Sequence, residues 1–257
     1  MVMHTKDTPA DHWAKTIVDL PLNPGPLQNL TLDRQELSGT NCLSLDQDMF
    51  KVRLANSEGR RESADLLIKK MYAWRGYDTS GVINDTPNRI TLMADFKGQI
   101  IGTLTLGLDS STGLLVDQLY KDEIDNLRQA KRFVCEFTRL AVNQASHSQR
   151  VIAALFHLAY IYAHKIHGAT DLVIEVNPRH AVFYQRMLCF TQLGAERMCP
   201  RVNAPAVLLH LTSEFIAEQT AAYGGTMREL PDVHTLYPFA FSAEDEAGIT
   251  QRLLRGD

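Results

Sequence analysis

The stretch DLVIEVNPRHAVFYQRMLCF, residues 171–190, decides how this chain is read. Leu172, Val173, Ile174 and Val176 form a β-branched-rich run, which predicts a strand covered on both faces. Asn177 and Pro178 end it, because proline brings no N–H to the ladder and presets a turn. Ala181, Tyr184 and Leu188 then recur at helical spacing, with Phe183 beside Tyr184. A strand that opens into a helix at an asparagine suits the binding of an extended cofactor arm. Tyr184, one turn into that helix, is placed to give a proton to a leaving group. The same spacing also fits an amphipathic core tyrosine whose hydroxyl reaches the surface.

Working outward, 257 residues suffice to bury a full core, and 45% hydrophobic with 22% charged residues is ordinary for a globular chain. No apolar run approaches the ~20 residues of a spanning helix. The first residues, MVMHTKDTPADHWAK, lack the apolar centre of a secretory signal. Cys42, Cys135, Cys189 and Cys199 are scattered without a C-x-x-C pair, which suits free thiols in a reducing cytoplasm. His147, His157, His164 and His167 share no ligand face with carboxylates, so a metal site is not expected.

The net charge of −4 is unevenly spread. Residues 1–50 carry 3 Lys/Arg against 7 Asp/Glu, residues 51–212 carry 20 against 15, and residues 213–257 carry 3 against 8. A mildly basic centre suits an anionic partner but is too weak to argue for nucleic acid. A mixed, solvated surface accounts for the same numbers.

The expected organisation is an N-terminal extension over residues 1–49, a central domain over 50–212 and a helical C-terminal extension over 213–257. Pro21, Pro24 and Pro26 punctuate the first part, which shows no sustained period. Within the centre, Phe50, Val52 and Leu54 alternate as a strand, and Ser57 caps a helix reaching Trp74. A hairpin follows over 89–96 and 99–108 about Lys97 and Gly98. Next come a loop at 109–113, a charged helix at 119–130, a strand at 132–142 and a long helix at 148–167. After residues 171–190, strands at 195–198 and 207–211 precede helices at 214–223 and 243–254.

The segment KRFVCEFTRLAV, residues 131–142, carries a second signal. Glu136 is a carboxylate in an otherwise apolar strand, a costly placement unless it is paired or used. Alternation sets Glu136, Thr138 and Leu140 on one face and Phe137, Arg139 and Ala141 on the other, unless a bulge intervenes. Two readings of Glu136 stay open: a general base, or a buried structural carboxylate. Arg139 likewise suits either a substrate carboxylate or a structural pair.

The strand, Asn177, Ala181 and the Phe183-Tyr184 pair resemble the acyl-CoA half of the GNAT acyltransferase fold, although Cys189 stands where that pattern carries glycine. The Glu136 segment is similar to the signature of bacterial acyl-homoserine lactone synthases. Arg75-Gly76-Tyr77, residues 102–106 and 109–113, Glu123 to Arg128, Asn177 to His180 and residues 202–206 together resemble the bacterial long-chain N-acyl amino acid synthases of the FeeM type. The resemblance spans roughly residues 60–211.

That resemblance implies an α/β, GNAT-like fold: a central mixed twisted sheet flanked by helices. It also implies a cytoplasmic N-acyltransferase that moves a long-chain fatty acyl group onto the α-amine of an amino acid. No permanently bound cofactor is implied. The donor would be the acyl-phosphopantetheine of acyl carrier protein, with acyl-CoA as the alternative. The loop NQASHSQRVIAAL (residues 143–155) lacks the glycines that cradle a CoA pyrophosphate in acetyltransferases, which favours the carrier.

By the same resemblance, Glu136 would be the base and Tyr184 the acid. Arg139, Thr138, Arg75 and Tyr77 would bind the amino acid. Asn177, Arg179 and His180 would bind the phosphopantetheine arm, and Arg128, Lys131 and Arg132 would dock the carrier. The rivals are a CoA-dependent enzyme of the same fold, an acyl-homoserine lactone synthase, and a non-catalytic module that binds acyl ligands.

Overall fold

Inward alternation of Phe50, Val52 and Leu54, all buried, builds a strand paired on both sides near one end of the sheet. A computed structural model of the chain describes residues 17–21, 49–55, 58–74, 88–143, 149–226, 230 and 232–255. The strands are β1 (Val18–Pro21), β2 (Met49–Leu54), β3 (Arg89–Phe96), β4 (Gln99–Leu108), β5 (Val134–Val142), β6 (Asp171–Val176), β7 (Thr191–Cys199) and β8 (Ala204–Thr212). They form one sheet in the order β1-β2-β3-β4-β5-β6-β8-β7, antiparallel except for the parallel β5–β6 pair. The helices are α1 (Glu58–Trp74), α2 (Asp117–Gln129), α3 (Gln149–Tyr160), α4 (Pro178–Leu188), α5 (Ser213–Tyr223) and α6 (Ala243–Arg255).

Expected and observed element order agree, with differences at the edges. Residues 18–21, expected within the N-terminal extension, pair antiparallel with β2 through Val18↔Val52 and Leu20↔Phe50. The strand expected at 195–198 runs from Thr191 to Cys199. The long helix stops being α-helical at Tyr160 and continues as a π-helix over Ile161–Ile166. Ser57, expected as a helix cap, lies outside the described residues.

The two sheet faces carry different cores. Leu172 and Ile174 of β6 pack with α3, α4 and α5, whereas Val173 packs against Tyr120 and Ile124 of α2. Each of these strand side chains is essentially removed from water, a burial that stabilises by about 1.5–3 kcal/mol per residue. Leu67 and Ile68 of α1 cover the second face beside Ala141. The C-terminal residues are no appendage: Ile216, Leu236, Tyr237, Phe239, Phe241, Ile249 and Leu253 belong to the larger core.

A buried histidine fastens that C-terminal part. The Phe241 backbone N–H donates to His157 Nδ1 at 2.9 Å, so Nδ1 is an acceptor and the ring hydrogen sits on Nε2. Nε2 therefore donates to Glu246 Oε2 at 2.8 Å, and Lys165 Nζ lies 3.0 Å from Glu246 Oε1. Burial lowers the His157 pKa below its ordinary 6.5, outweighing Glu246. Burial opposes ionisation of Glu246, but hydrogen bonds from His157 and Lys165 bring it down to about 2.

Both groups have depressed folded pKa values, so both contributions are full above the unfolded values and are lost as pH falls. Stability is expected to decline below pH 6.5 as the unfolded chain takes up a proton on His157, and again below 4.5 through Glu246. Denaturant titrations between pH 7 and 5 check this. His157→Gln should flatten the slope in that window, and an unchanged slope would exclude the assignment.

At the end of α4, Cys189 occupies the left-handed region at φ 63°, ψ 28°, and its N–H bonds the Tyr184 carbonyl. Glycine is the usual residue there because Cβ crowds the backbone. Cys189→Gly is expected to stabilise the fold by about 0.5–1 kcal/mol, read as a higher urea midpoint at constant slope.

Candidate active site

The site begins where β5 loses one neighbour. Against β6 it pairs only at Val134↔Asp171, Cys135↔Leu172 and Glu136↔Val173, whereas against β4 it pairs as far as Val142. From Phe137 onward the two parallel strands separate. A bulge accompanies the separation: Thr105 pairs Thr138 but Thr103 pairs Ala141, so β5 holds one extra residue. Arg139 lies in that extra stretch at φ 54°, and its carbonyl accepts from Thr103 Oγ1 at 3.2 Å.

The bulge corrects the simple alternation expected for this strand. Phe137 enters the larger core, yet Ala141, at the same parity, packs with α1 on the opposite face. Thr138 is half-buried, its Oγ1 3.5 Å from the Thr105 carbonyl.

Glu136 precedes the bulge on the α2 side and is 2% exposed. Its Oε1 accepts from Arg89 Nη2 at 3.0 Å and from the Leu115 N–H at 2.9 Å, and its Oε2 accepts from the Val116 N–H at 3.0 Å. Burial raises its pKa, opposed by the Leu115 N–H and Arg89. Arg89, Gly107 and Glu136 sit side by side on β3, β4 and β5. A side chain at Gly107 would meet Glu136 Cγ and Oε1 at 3.0 Å, so glycine leaves the room in which arginine and glutamate meet. The 115–116 turn is held from its other side by Arg201, which donates to the Leu115 carbonyl at 3.1 Å and to Glu175 at 2.5 Å. Sequence reasoning missed Arg89, Gly107 and Arg201; a glycine within an apolar strand was the available signal.

Tyr184 lies across the sheet from Glu136, in α4, which follows β6 directly. Its ring is 6.3 Å from Phe156, itself 5.5 Å from Phe137, the first residue of β5 beyond the β6 pairing. It also packs at 6.1 Å on Phe190. Tyr184 is thus linked through Phe156 to Phe137, where the strands part, while Glu136 lies on the α2 side.

Several residues expected to bind have partners within the fold. Asn177 caps α4: its side-chain oxygen accepts from the Arg179 N–H at 3.2 Å and its Nδ2 donates to the Pro205 carbonyl at 3.1 Å. With both ends of the amide engaged, it shapes the start of the helix. Arg179 is exposed and His180 half-buried on the first turn. Arg128, expected at a docking face, is engaged within the fold. Five hydrogen bonds tie its guanidinium to Asp109, Asp117 and Asp125, and those to Asp109 and Asp117 push its pKa up against the opposing effect of partial burial. Arg132 bonds Asp171 and the Thr170 carbonyl. Burial opposes ionisation of Asp171, but His210, Thr170 and Arg132 hold it down to about 2. Lys131 is exposed between them at φ 57°. Arg75 and Tyr77 lie outside the described residues.

The family model for the N-acyl amino acid synthase FeeM matches residues 63–212, more than half of the chain. The chain belongs to this family. Its FeeM-type core is the sheet from β3 to β8 with α2, α3 and α4, and the fold is the GNAT-like α/β fold. The solved structure of FeeM, an N-acyl amino acid synthase from uncultured soil microbes, is 27% identical with a TM-score of 0.59, over 64% of this chain and 92% of that one. An acyl-CoA N-acyltransferase from Pseudomonas aeruginosa is 14% identical with a TM-score of 0.45, over 65% and 99%. The acyl-homoserine lactone synthase LasI is 14% identical with a TM-score of 0.42, over 64% and 90%. No curated protein matches the chain significantly. The protein is an acyltransferase, and its family and fold support transfer to nitrogen. Among the described residues no helix is long and apolar enough to cross a membrane, and no cluster of His, Cys, Asp or Glu could hold a metal ion.

Proposed function

We propose that this FeeM-family protein transfers a long-chain fatty acyl group from the phosphopantetheine of acyl carrier protein to the α-amine of an amino acid. The observation that carries the reading is the opening of β5 from β6 at Phe137, linked through Phe156 to Tyr184. In that opening the thioester arm lies along β5, whose backbone N–H groups beyond the last β6 pair receive the oxyanion. The amine nitrogen forms the C–N bond and loses its proton to water, the C–S bond breaks, and the leaving sulfur takes a proton from Tyr184, which water then reprotonates. Arg139, turned by the bulge, and Thr138 bind the acceptor carboxylate. Arg179 and His180 lie at the helix start, where a phosphate is favoured, and Lys131 remains for an acidic carrier. The Glu136 carboxylate holds the 115–116 turn through two hydrogen bonds and accepts a third from Arg89, which favours positioning over direct proton abstraction.

The test offers purified protein carrier-linked and CoA-linked acyl donors of equal chain length with a mixture of amino acids, products being read by mass spectrometry. N-acyl amino acids formed faster from the carrier support the reading. Equal or faster turnover of acyl-CoA overturns the donor, and product lacking an amino acid overturns the acceptor. Tyr184→Phe is expected to lower kcat more than it raises the donor KM, because its hydroxyl acts only as the thiolate leaves. A change confined to KM would make Tyr184 a binding residue.

A further inference from the structure

Backbone pairing between β5 and β6 stops at Glu136↔Val173, but side chains on the α2 face tie the two strands together again. On the β5 side, Glu136 accepts from the Leu115 and Val116 N–H groups and so holds the 115–116 turn. On the β6 side, Glu175 lies beyond Val173 at the same parity, which puts it on the same face. Arg201 joins the two. Its Nη1 donates to the Leu115 carbonyl at 3.1 Å and to Gln118 Oε1 at 2.9 Å, and its Nη2 donates to Glu175 Oε2 at 2.5 Å. The path runs from the last paired residue of β5, through the turn, Arg201 and Glu175, to the part of β6 that β5 has left.

Both ends of this bridge are anchored. β6 stays paired with β8 through Val176↔Val207, so Glu175 is carried by a strand held on its far side. Arg201 sits in the tight turn between β7 and β8, where Asn203 adopts φ 47°, a left-handed conformation that asparagine tolerates better than most residues. The Arg201 and Glu175 side chains are 29% and 10% exposed, so salt screens this pair less than one at the surface. Arginine suits the position because its planar fork directs donors two ways at once, whereas a lysine ammonium is a single point of charge.

We infer that Arg201 and Glu175 are positioning residues for acyl transfer: their pair holds the 115–116 turn at a set distance from β6 and so fixes the width of the opening in which the thioester is attacked. The inference rests on the acyl-transfer reading above. Neither residue is assigned to the reacting atoms. Without the bridge, the turn and the freed edge of β6 can shift apart, and a displacement of about 1 Å costs up to about 10²-fold in rate. Either partner alone is insufficient, because the tie is complete only when Arg201 holds Glu175 and the Leu115 carbonyl together.

Two measurements on the full chain test this, one with turnover and one without. Arg201→Met should lower kcat by about 10-fold or more, with the donor KM changed less. Arg201→Lys, which keeps the charge and the fold but not the fork, should fall in the same direction. Glu175→Gln should lose less, since its amide oxygen can still accept from Arg201. Arg201→Met combined with Glu175→Gln should fall no further than Arg201→Met alone, because one break already opens the bridge. Near-normal kcat in folded Arg201→Met and Arg201→Lys, or losses that multiply in the double variant, overturns the proposal. The second measurement is amide hydrogen exchange. In Arg201→Lys the Leu115 and Val116 N–H groups should exchange faster while those of β3 keep their rate. Unchanged exchange at 115–116, or a rise shared equally by β3, overturns the bridge. If the unmodified protein makes no N-acyl product from any donor, the acyl-transfer reading fails, and exchange alone decides whether Arg201 ties the turn to β6.

Discussion

Glu136→Gln is expected to lower turnover by about 10²-fold or more, with the fold retained. The carboxylate has three donors aimed at it: Arg89 and the Leu115 N–H on Oε1, and the Val116 N–H on Oε2. An amide supplies one oxygen. If that oxygen keeps Arg89 and Leu115, the new NH₂ faces the Val116 N–H, donor against donor, and the turn is pushed from the strand. Leaving such a buried group unsatisfied costs about 1–3 kcal/mol, enough to displace the turn without unfolding the domain. The pH–rate profile separates the two roles. If Glu136 removes the amine's proton, the acidic limb of kcat/KM vanishes in the variant. If it positions the turn, the limb persists at reduced height. Gly107→Ala, which crowds Glu136 from β4, should give a smaller loss of the same sign. Near-normal kcat in folded Glu136→Gln would eliminate both roles.

Arg128→Ala is expected to destabilise the protein by about 3–5 kcal/mol, the range for breaking a partly buried charge network on one side. The loss removes five hydrogen bonds and leaves Asp109, Asp117 and Asp125 facing one another, with Asp109 and Asp117 largely buried. Asp109 ends the β4 hairpin, and Asp117 opens α2 while accepting the Leu114 N–H at 2.7 Å. The network thus joins the sheet to the helix that carries the 115–116 turn. Urea unfolding measures the effect, and a loss below about 1 kcal/mol would class the cluster with ordinary surface pairs. Any fall in activity should be the same for carrier-linked and CoA-linked donors. A fall confined to the carrier-linked donor would restore Arg128 to the docking face.

The sequence by itself determined the parts governed by local period and local chemistry. The apolar run at residues 172–176, the Asn177-Pro178 stop and the helical spacing through Tyr184 reappear as β6, its end and α4, because burial on both faces and proline's missing N–H act within a few residues. The same holds for the hairpin at Lys97 and Gly98 and for the helices at 213–223 and 243–255. It marked Glu136 as unusual, since a carboxylate in an apolar strand is unusual in any fold.

Only the tertiary structure decided what such residues do. Arg128 reads as a free basic residue until Asp109 and Asp117, 19 and 11 positions away, close around it. Arg89 and Glu136 meet only because β3, β4 and β5 lie side by side with Gly107 between them. The bulge at Arg139 leaves no mark in the pattern, since one extra residue reverses every later side chain without changing composition. Residues 236–241 carry no period at all. They join the core through backbone bonds to α4 and His157, partners fixed by three-dimensional approach and therefore invisible to any window along the chain.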